Sequence, residues 1–198
     1  MTLTTLRNMV GLPAGAPPLS QSALVMIDCQ NTYRDGVMRL VGVEPALDEA
    51  RRVLERARAA GTPVLHIVHD AGPGSPYDVR AEIGQIADKV APVKGEPTIV
   101  KNFPNAFAKT DLHERLQALG RQNLIFIGFM THMCVSSTVR AAFDLGYSST
   151  VVGNATATRS LPVGGKGVVD APELHKASLS ALADLFAVVV NDAGDLPA

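Results

Sequence analysis

The 198-residue sequence has few cysteines, almost no net charge and no apolar segment of membrane-spanning length. Two cysteines are too few for the disulfide framework of a small secreted domain. A formal net charge of −1, without any block of like charges, argues against binding to nucleic acid or to a membrane surface. The N-terminal segment has no apolar stretch of the signal-peptide kind. We therefore expect a cytoplasmic protein with no nucleic-acid or membrane partner.

Nucleotide-binding motifs and internal repeats are also missing. The GGKG stretch at 164–167 lacks the spacing of a P-loop, and no Gly-x-Gly-x-x-Gly motif follows the first predicted strand. Apolar residues make up 46% of the chain and charged residues 19%, which is typical of a folded globular domain. We predict an N-terminal arm over residues 1–22, rich in Pro, Gly and Ser, and a single domain over residues 23–198.

Strand and helix patterns alternate along this domain. Short apolar runs predict six strands, and apolar residues at helical spacing predict the segments between them as helices, one of them weak. The predicted strands are 23–28, 63–69, 98–101, 123–129, 149–153 and 187–191, and the predicted helices are 45–60, 78–90 (weak), 111–119, 132–145 and 172–186. Such alternation predicts an α/β fold, a three-layer α/β/α domain with a doubly wound, mostly parallel, Rossmann-like sheet.

Three chemically active side chains fall at predicted strand ends. Asp28 ends the first strand, Lys101 ends the third, and Cys134 opens the helix after the fourth. Ligands of doubly wound sheets bind outside the carboxyl ends of the strands. A helix N-terminus and a lysine favour a thiolate, a carboxylate can take the thiol proton, and backbone N–H groups can hold an oxyanion. This combination indicates acyl transfer, although each residue alone would equally fit a structural role.

Three segments carry a family resemblance. ALVMIDCQN, IVKNFPNAF and GFMTHMCVSSTVRAAFDLGY, in that order, resemble the signature regions of the isochorismatase-like cysteine hydrolases. That superfamily includes nicotinamidases, N-carbamoylsarcosine amidases, ureidoacrylate-type amidohydrolases and isochorismatases. The resemblance runs from about residue 22 to the end of the chain. It implies a small-molecule substrate and a homodimer or homotetramer.

The resemblance also assigns roles to the matched positions. It implies that Cys134 is the nucleophile, that Asp28 takes its proton and later activates water, and that Lys101 bridges the two. It implies an oxyanion hole made of the Thr131 and Cys134 N–H groups. A cis peptide bond is expected before the threonine, which here is the Met130–Thr131 bond.

The thiol bears on which reaction of the superfamily is expected. Isochorismatases that resemble this group often carry another residue at the position of Cys134, because protonation of the vinyl ether by the aspartate suffices there. We therefore predict hydrolysis of a small non-peptide amide or ureide through a thioester. The alternatives are an isochorismatase-type vinyl-ether hydrolase, a metal-dependent nicotinamidase, and a non-enzymatic protein with Cys134 as a redox-sensing thiol.

The segment after the second strand bears on metal binding. Nicotinamidases of the superfamily carry an Asp-x-His pattern with a further His there, whereas this sequence has only His66, His69 and Asp70. His66 and His69 are three residues apart, so on a strand they face opposite sides. We therefore expect no metal and no cofactor, and we interpret His66 as a packed or hydrogen-bonded histidine.

Possible substrate contacts are open to two interpretations each. A pocket position or an ordinary structural role fits each of Phe103, His69, Asn31 and Tyr33. The second thiol, Cys29, follows Asp28 directly and should point to the opposite face, so we expect it to be buried and inert. His132 is interpreted as a residue of the helix start, with a possible role at a subunit contact.

Overall fold

The computed structural model describes residues 3–165 and 167–198. Its eight strands are β1 (Ser22–Ile27), β2 (Val64–His69), β3 (Thr98–Lys101), β4 (Asn123–Phe129), β5 (Ser148–Ala157), β6 (Leu161–Pro162), β7 (Val168–Val169) and β8 (Ala187–Val190). Six of them form one sheet in the order β3-β2-β1-β4-β5-β8, and every neighbouring pair in it is parallel. β6 and β7 form a separate antiparallel pair. The order reverses direction at β1, next to β4, where ligands of such sheets bind.

Helices cover both faces of the sheet. They are α1 (Leu6–Met9), α2 (Val43–Ala59), α3 (Leu112–Ala118), α4 (Ser136–Asp144) and α5 (Ala171–Ala183). The apolar stripe of α2 packs into one buried cluster, whereas α3, α4 and α5 contribute to a second cluster on the other face. The predicted three-layer, doubly wound α/β/α fold with a six-stranded sheet is therefore confirmed. No helix of the described residues is long and apolar enough to cross a bilayer.

Two predicted elements differ in the structure. The prediction of a weak helix over 78–90 was wrong, because this segment contains only two short 3₁₀ turns, Glu82–Gly84 and Asp88–Val90. It is held in place by the end of β1: the Gln30 side chain donates to the Gly84 carbonyl, and the Ala87 N–H donates to the Cys29 carbonyl. These tertiary hydrogen bonds override the weak helical pattern.

The segment after β4 and the strand after it also depart from expectation. The predicted helix over 132–145 begins instead as a π turn, Thr131–Val135, that leads into α4. β5 continues to Ala157, beyond the predicted end at 153, because a register shift lets Thr156 and Ala157 pair with the last residues of β4. The N-terminal segment docks on the domain through hydrogen bonds from the Leu6 and Arg7 N–H groups to Asp184.

Gly128 determines how closely β4 approaches β1. It pairs with Ile27 and has a φ of +111°, and a Cβ at this position would lie 1.9 Å from the Ile27 carbonyl oxygen. No side chain fits that distance, so only glycine allows the two strands to end side by side. The carboxyl ends of β1 and β4, with the residues that follow them, are thereby brought together.

We expect the Gly128→Ala variant to lose about 2–5 kcal/mol of unfolding free energy, because a strained φ and a backbone clash act together. Gly146→Ala is the matched control, since its φ of +87° is also positive but no atom lies within 4 Å of the added Cβ. It should lose only about 1–2 kcal/mol. Urea unfolding at neutral pH measures the unfolding free energy of both variants. Equal losses would contradict the close approach of β4 to β1 at Gly128.

Candidate active site

The side chains of Asp28, Lys101 and Cys134 meet at the carboxyl edge of the sheet. Lys101 Nζ lies 2.7 Å from Asp28 Oδ2 and donates to Cys134 Sγ at 3.3 Å. The three residues are almost fully buried, with exposed fractions of 0%, 1% and 5% in chain order. β3 lies two strands away from β1, so the long lysine side chain must cross the end of β2 to reach them. The structure thus brings together the three side chains that the sequence placed at strand ends.

A third acceptor completes the surroundings of the Lys101 ammonium. His69, the last residue of β2, is paired with Lys101 in the sheet, and its Nδ1 lies 3.2 Å from Lys101 Nζ. Burial, and then the Lys101 charge, lower the pKa of His69, so its ring is neutral and Nδ1 can accept. An ammonium group has three N–H donors, and three possible acceptors lie within 3.3 Å of this one: Asp28 Oδ2, His69 Nδ1 and Cys134 Sγ. His69 therefore positions Lys101.

Burial controls the electrostatics of the acid and the thiol. Burial raises the pKa of Asp28, and Lys101 opposes that rise. Burial and then the Asp28 carboxylate raise the pKa of Cys134 to about 12, again against the effect of Lys101. The thiol therefore keeps its proton in the resting site, beside a carboxylate that is a stronger base than one in water. Both carboxylate oxygens of Asp28 are buried and lack a hydrogen-bond partner of regular geometry among the described residues, so the 2.7 Å contact between Oδ2 and Lys101 is an ion pair.

Cys134 lies within the π turn that follows β4. The Met130 carbonyl accepts from the N–H groups of Met133 at 3.0 Å and Val135 at 3.2 Å, the two neighbours of Cys134. The cis peptide bond is Phe129–Met130, so the expected cis bond at Met130–Thr131 was wrong by one residue. The reason is that β4 ends at Phe129 and Thr131 already begins the turn. The Thr131 hydroxyl lies 3.0 Å from Nδ1 of His175 on α5.

Aromatic side chains surround the site on the β1 side. The buried Tyr33 ring packs edge-on against Tyr77 and Phe129, with ring centroids 5.8 and 5.6 Å apart. Burial and then the Asp28 carboxylate raise the pKa of Tyr33. Tyr77 also packs edge-on against His69 at 5.1 Å. Of the four candidate contacts, His69 and Tyr33 therefore adjoin the three central side chains.

The other two candidates have different surroundings. The Asn31 side chain donates to the Glu82 carbonyl and accepts from Arg34, so it anchors the loop over 82–84. Phe103 is 42% exposed, with the Lys109 ammonium 5.1 Å from its ring centroid. This exposure excludes ordinary core packing for Phe103. Neither side chain makes a hydrogen bond or ring contact with the central three within the described residues.

The other histidines and the second cysteine make contacts away from the three central side chains. His66 Nε2 lies 2.9 Å from Glu96 Oε2, which confirms a hydrogen-bonded histidine. Cys29 is buried in the cluster under α2, on the face opposite to the cluster that contains Cys134, as expected. His132 is paired with the Thr158 hydroxyl. Among residues 3–165 and 167–198, no three His, Cys, Asp or Glu side chains are grouped as metal ligands would be.

Sequence reasoning missed three residues near the site. Tyr77 belongs to a loop that has no periodic pattern, and its being the only aromatic residue of AGPGSPYD was the one available signal. Arg159 follows the unpredicted extension of β5, and His175 lies on α5. None of the three is close in sequence to the signature segments, so only the fold shows that they adjoin the site.

Comparison with known proteins identifies the family. A family model described as the isochorismatase domain matches residues 22–193. The chain belongs to the isochorismatase family. The crystal structure of an isochorismatase from Pseudomonas putida KT2440 matches this chain with a TM-score of 0.94 and 38% sequence identity. The match covers 98% of this chain and 100% of the Pseudomonas putida chain. The predicted resemblance is therefore confirmed, and the protein is an isochorismatase-like hydrolase.

Curated relatives span much of the chain as well. The secreted isochorismatase effector Isc1 of Verticillium dahliae is 32% identical over 96% of this chain and 97% of its own length. The ureidoacrylate amidohydrolase RutB of Stutzerimonas stutzeri is 32% identical, over 74% of this chain and 75% of its own length. The family thus includes relatives named for different reactions. The choice between these reactions for this chain has to be argued from the geometry of its site.

We expect His69→Leu to lower the unfolding free energy by about 1–3 kcal/mol, because it leaves one N–H of the buried Lys101 ammonium without an acceptor. His69→Asn should lose less, since the amide oxygen can take the place of Nδ1. Urea unfolding of both variants at neutral pH makes the comparison. If His69→Asn were no more stable than His69→Leu, the hydrogen bond would not hold the lysine.

Proposed function

We propose that this hydrolase cleaves a small non-peptide amide or ureide through a thioester on Cys134. The observation that carries the proposal is the buried Lys101 ammonium, 2.7 Å from Asp28 Oδ2 and 3.3 Å from Cys134 Sγ. It joins a base and a nucleophile in one water-poor site, which is the arrangement that nucleophilic catalysis requires. The relative named as a ureidoacrylate amidohydrolase supports the choice of a C–N bond.

Acylation begins with proton transfer from the Cys134 thiol to Asp28. The thiolate sulfur attacks the carbonyl carbon, a C–S bond forms, and the carbonyl π electrons move onto oxygen. The protonated Asp28 then gives its proton to the leaving nitrogen, the C–N bond breaks, and an amine or ammonia departs. Lys101 stabilises the negative charge while it resides on sulfur and on the carboxylate.

Deacylation repeats the cycle with water. Asp28, again a carboxylate, takes a proton from water, and the hydroxide oxygen attacks the thioester carbon. The C–S bond breaks, and the sulfur recovers its proton from Asp28. A base with a raised pKa serves both half-reactions, because it must accept and return the same proton near neutral pH.

The carbonyl oxygen is proposed to face the N–H groups of Thr131 and Cys134. Two features support this: the first amides of a helical turn lack intrahelical acceptors, and the Met130 carbonyl is used by the neighbours of Cys134. His175 acts on this hole indirectly, since it holds the Thr131 hydroxyl at 3.0 Å. Such donors stabilise the oxyanion without any rearrangement during the reaction.

Vinyl-ether hydrolysis of the isochorismatase type is the second candidate. It is favoured by the relatives from Pseudomonas putida and Verticillium dahliae, both of which are named as isochorismatases. That reaction needs a protonated Asp28 and no nucleophilic sulfur. The two candidates therefore differ in whether turnover requires Cys134.

A cytoplasmic location is proposed on separate grounds. Both cysteines are free thiols, and free thiols are kept reduced in that compartment. The Verticillium dahliae relative is named as secreted, so fractionation of the native cells is the deciding measurement.

We expect Cys134→Ala to lose at least about 10³-fold in turnover of amide and ureide substrates, because the thioester cannot form. Incubation of the wild-type protein with a panel of small amides and ureides, followed by intact mass measurement, should show an acyl adduct that Cys134→Ala lacks. Cys29→Ala, whose thiol is buried on the other face, should keep both adduct and turnover. Full turnover by Cys134→Ala would reject the thioester mechanism and favour the vinyl-ether alternative.

The pH profile tests the base. As pH falls, Asp28 gains a proton and can no longer accept one from sulfur, so kcat/KM should fall with an apparent pKa above the ordinary 3.8. Because the pKa of Cys134 is raised to about 12, we expect no increase in rate around pH 8.5, where an ordinary thiol ionises. Measurement of kcat/KM from pH 4 to 10 tests both expectations. An increase centred near pH 8.5 would show that a free thiolate, formed without Asp28, is the reactive species.

A further inference from the structure

We propose that the loop after β2 is a hinged cover over Cys134, and that a substrate reaches the sulfur when this loop swings away together with the Tyr77 ring. We call residues 71–81 the cover loop. The cover belongs to the site of the proposed function, but it does not require the amide reaction, because any molecule that meets the Cys134 sulfur has to pass the same wall.

The central side chains are closed off from solvent. Asp28, Lys101 and Tyr33 are almost fully buried, and Cys134 is only 5% exposed. Nucleophilic attack requires the reacting atoms to approach within about 3–3.5 Å along an open line. A part of the surrounding wall therefore has to move before a substrate carbonyl can meet the sulfur.

Tyr77 is the part of the cover loop that closes against the domain. Its ring centroid lies 5.8 Å from that of Tyr33 and 5.1 Å from that of His69, whose Nδ1 is 3.2 Å from Lys101 Nζ. The ring also packs against the buried cluster under α2, while the preceding residue, Pro76, is exposed. The Tyr77 ring thus stands between solvent and two side chains that adjoin the site.

A single buried glutamine fixes both flanks of the cover loop. Gln30 pairs through its side chain with the N–H and the carbonyl of His69, at 2.9 and 3.0 Å, and donates to the Gly84 carbonyl at 2.7 Å. The Asp70 N–H donates to the Lys101 carbonyl at 3.0 Å. The two flanks are therefore part of the rigid domain, and movement is confined to the residues between them.

The cover loop itself is bonded only to its own neighbourhood. Among the described residues, every backbone hydrogen bond of residues 71–81 runs to a partner between residues 70 and 85. Asp78 ties the loop together, because its carboxylate accepts from the N–H groups of Gly74 at 2.8 Å and Arg80 at 3.0 Å. The loop is thus a compact unit of the Ω-loop kind that can move as one body.

Other segments at this edge of the sheet are tied to the domain through their backbone. After β3, the buried Ala106 donates its N–H to the Thr138 hydroxyl of α4 at 3.0 Å. After β5, the Thr158 carbonyl accepts from the Val41 N–H at 3.1 Å. Residues 71–81 have no comparable backbone tie among the described residues, so the cover loop is the segment best able to open.

Gly72 supplies a hinge at the start of the cover loop. Its φ is +92°, and no atom lies within 4 Å of the position that a Cβ would take, so its torsions can change without meeting a neighbour. The loop is held closed by the Tyr77 ring and by an exposed ion pair between Arg80 and Asp70. Exposed ion pairs contribute little, so the closed state should depend mainly on Tyr77.

Alkylation of Cys134 measures the opening. In a Cys29→Ala background, the remaining thiol is treated with iodoacetamide or with 5-iodoacetamidofluorescein, which carry the same reactive group on a small and on a bulky molecule. Tyr77→Ala should accelerate both reactions by a similar factor of about 10- to 100-fold, because two aromatic contacts of the closed state are lost. Tyr77→Phe keeps the ring and should stay within about 3-fold of the parent rate.

Phe103→Ala is the matched control, because Phe103 is an exposed aromatic residue of the segment after β3 at the same edge of the sheet. Its substitution should leave both rates unchanged. Unchanged rates in Tyr77→Ala, or an equal gain in Phe103→Ala, would overturn the inference. Acceleration of iodoacetamide alone would overturn it too, since that result indicates a hole in a fixed wall and not a moving loop.

Hydrogen exchange separates opening of the cover loop from unfolding. In Tyr77→Ala, the amides of residues 72–80 should exchange faster by the same factor as the alkylation, while those of β1 and β4 stay protected. Faster exchange throughout the sheet would attribute the gain to lost stability and reject the cover. Neither measurement uses a substrate, so a protein that cleaves no amide would reject the proposed reaction alone, and unchanged alkylation would reject the cover alone.

Discussion

The buried ammonium of Lys101 is the interaction on which the rest of the site depends. A charge removed from water is tolerated only where charged or polar partners surround it. Its partners come from three different places: Asp28 after β1, His69 at the end of β2, and Cys134 after β4. The positions of three strand ends are therefore coupled to a single amine. A change in the register of β1 against β4 would separate the acid from the thiol, and a change at β2 would move His69 away from the lysine.

In the proposed mechanism, the same ammonium explains why an aspartate can act as the base. Without Lys101, a fully buried carboxylate would remain protonated and could not accept a proton. With it, the pKa of Asp28 is still raised, but the lysine limits the rise. In the proposed mechanism, the proton that leaves sulfur therefore stays within this group of three side chains. The proposed proton transfer uses no histidine: burial lowers the pKa of His69, so its ring is neutral, and its Nδ1 lies 3.2 Å from Lys101 Nζ.

The sequence allows the sheet and the three central residues to be predicted, because both follow from local patterns. β3 and β4 were predicted at their exact bounds, since each is a short apolar run between turn residues. The extension of β5 was missed because Gly153 and Asn154 interrupt its pattern, and only pairing with β4 continues the strand. The loop over 78–90 was predicted incorrectly for the same kind of reason, since Gln30 holds it from a distance. Tyr77 directly precedes this loop, which is why it escaped prediction as a part of the site's lining.

The division between predictable and unpredictable parts has a physical basis that bears on selectivity. The proposed reacting groups lie at strand ends or in the short segments that follow them, where backbone pairing fixes their positions. The lining comes from loops and strand extensions, such as those that carry Tyr77 and Arg159, whose placement depends on long-range contacts. These segments can change without disturbing Lys101 and its partners. Relatives with similar sheets and with names that refer to different reactions are the expected result.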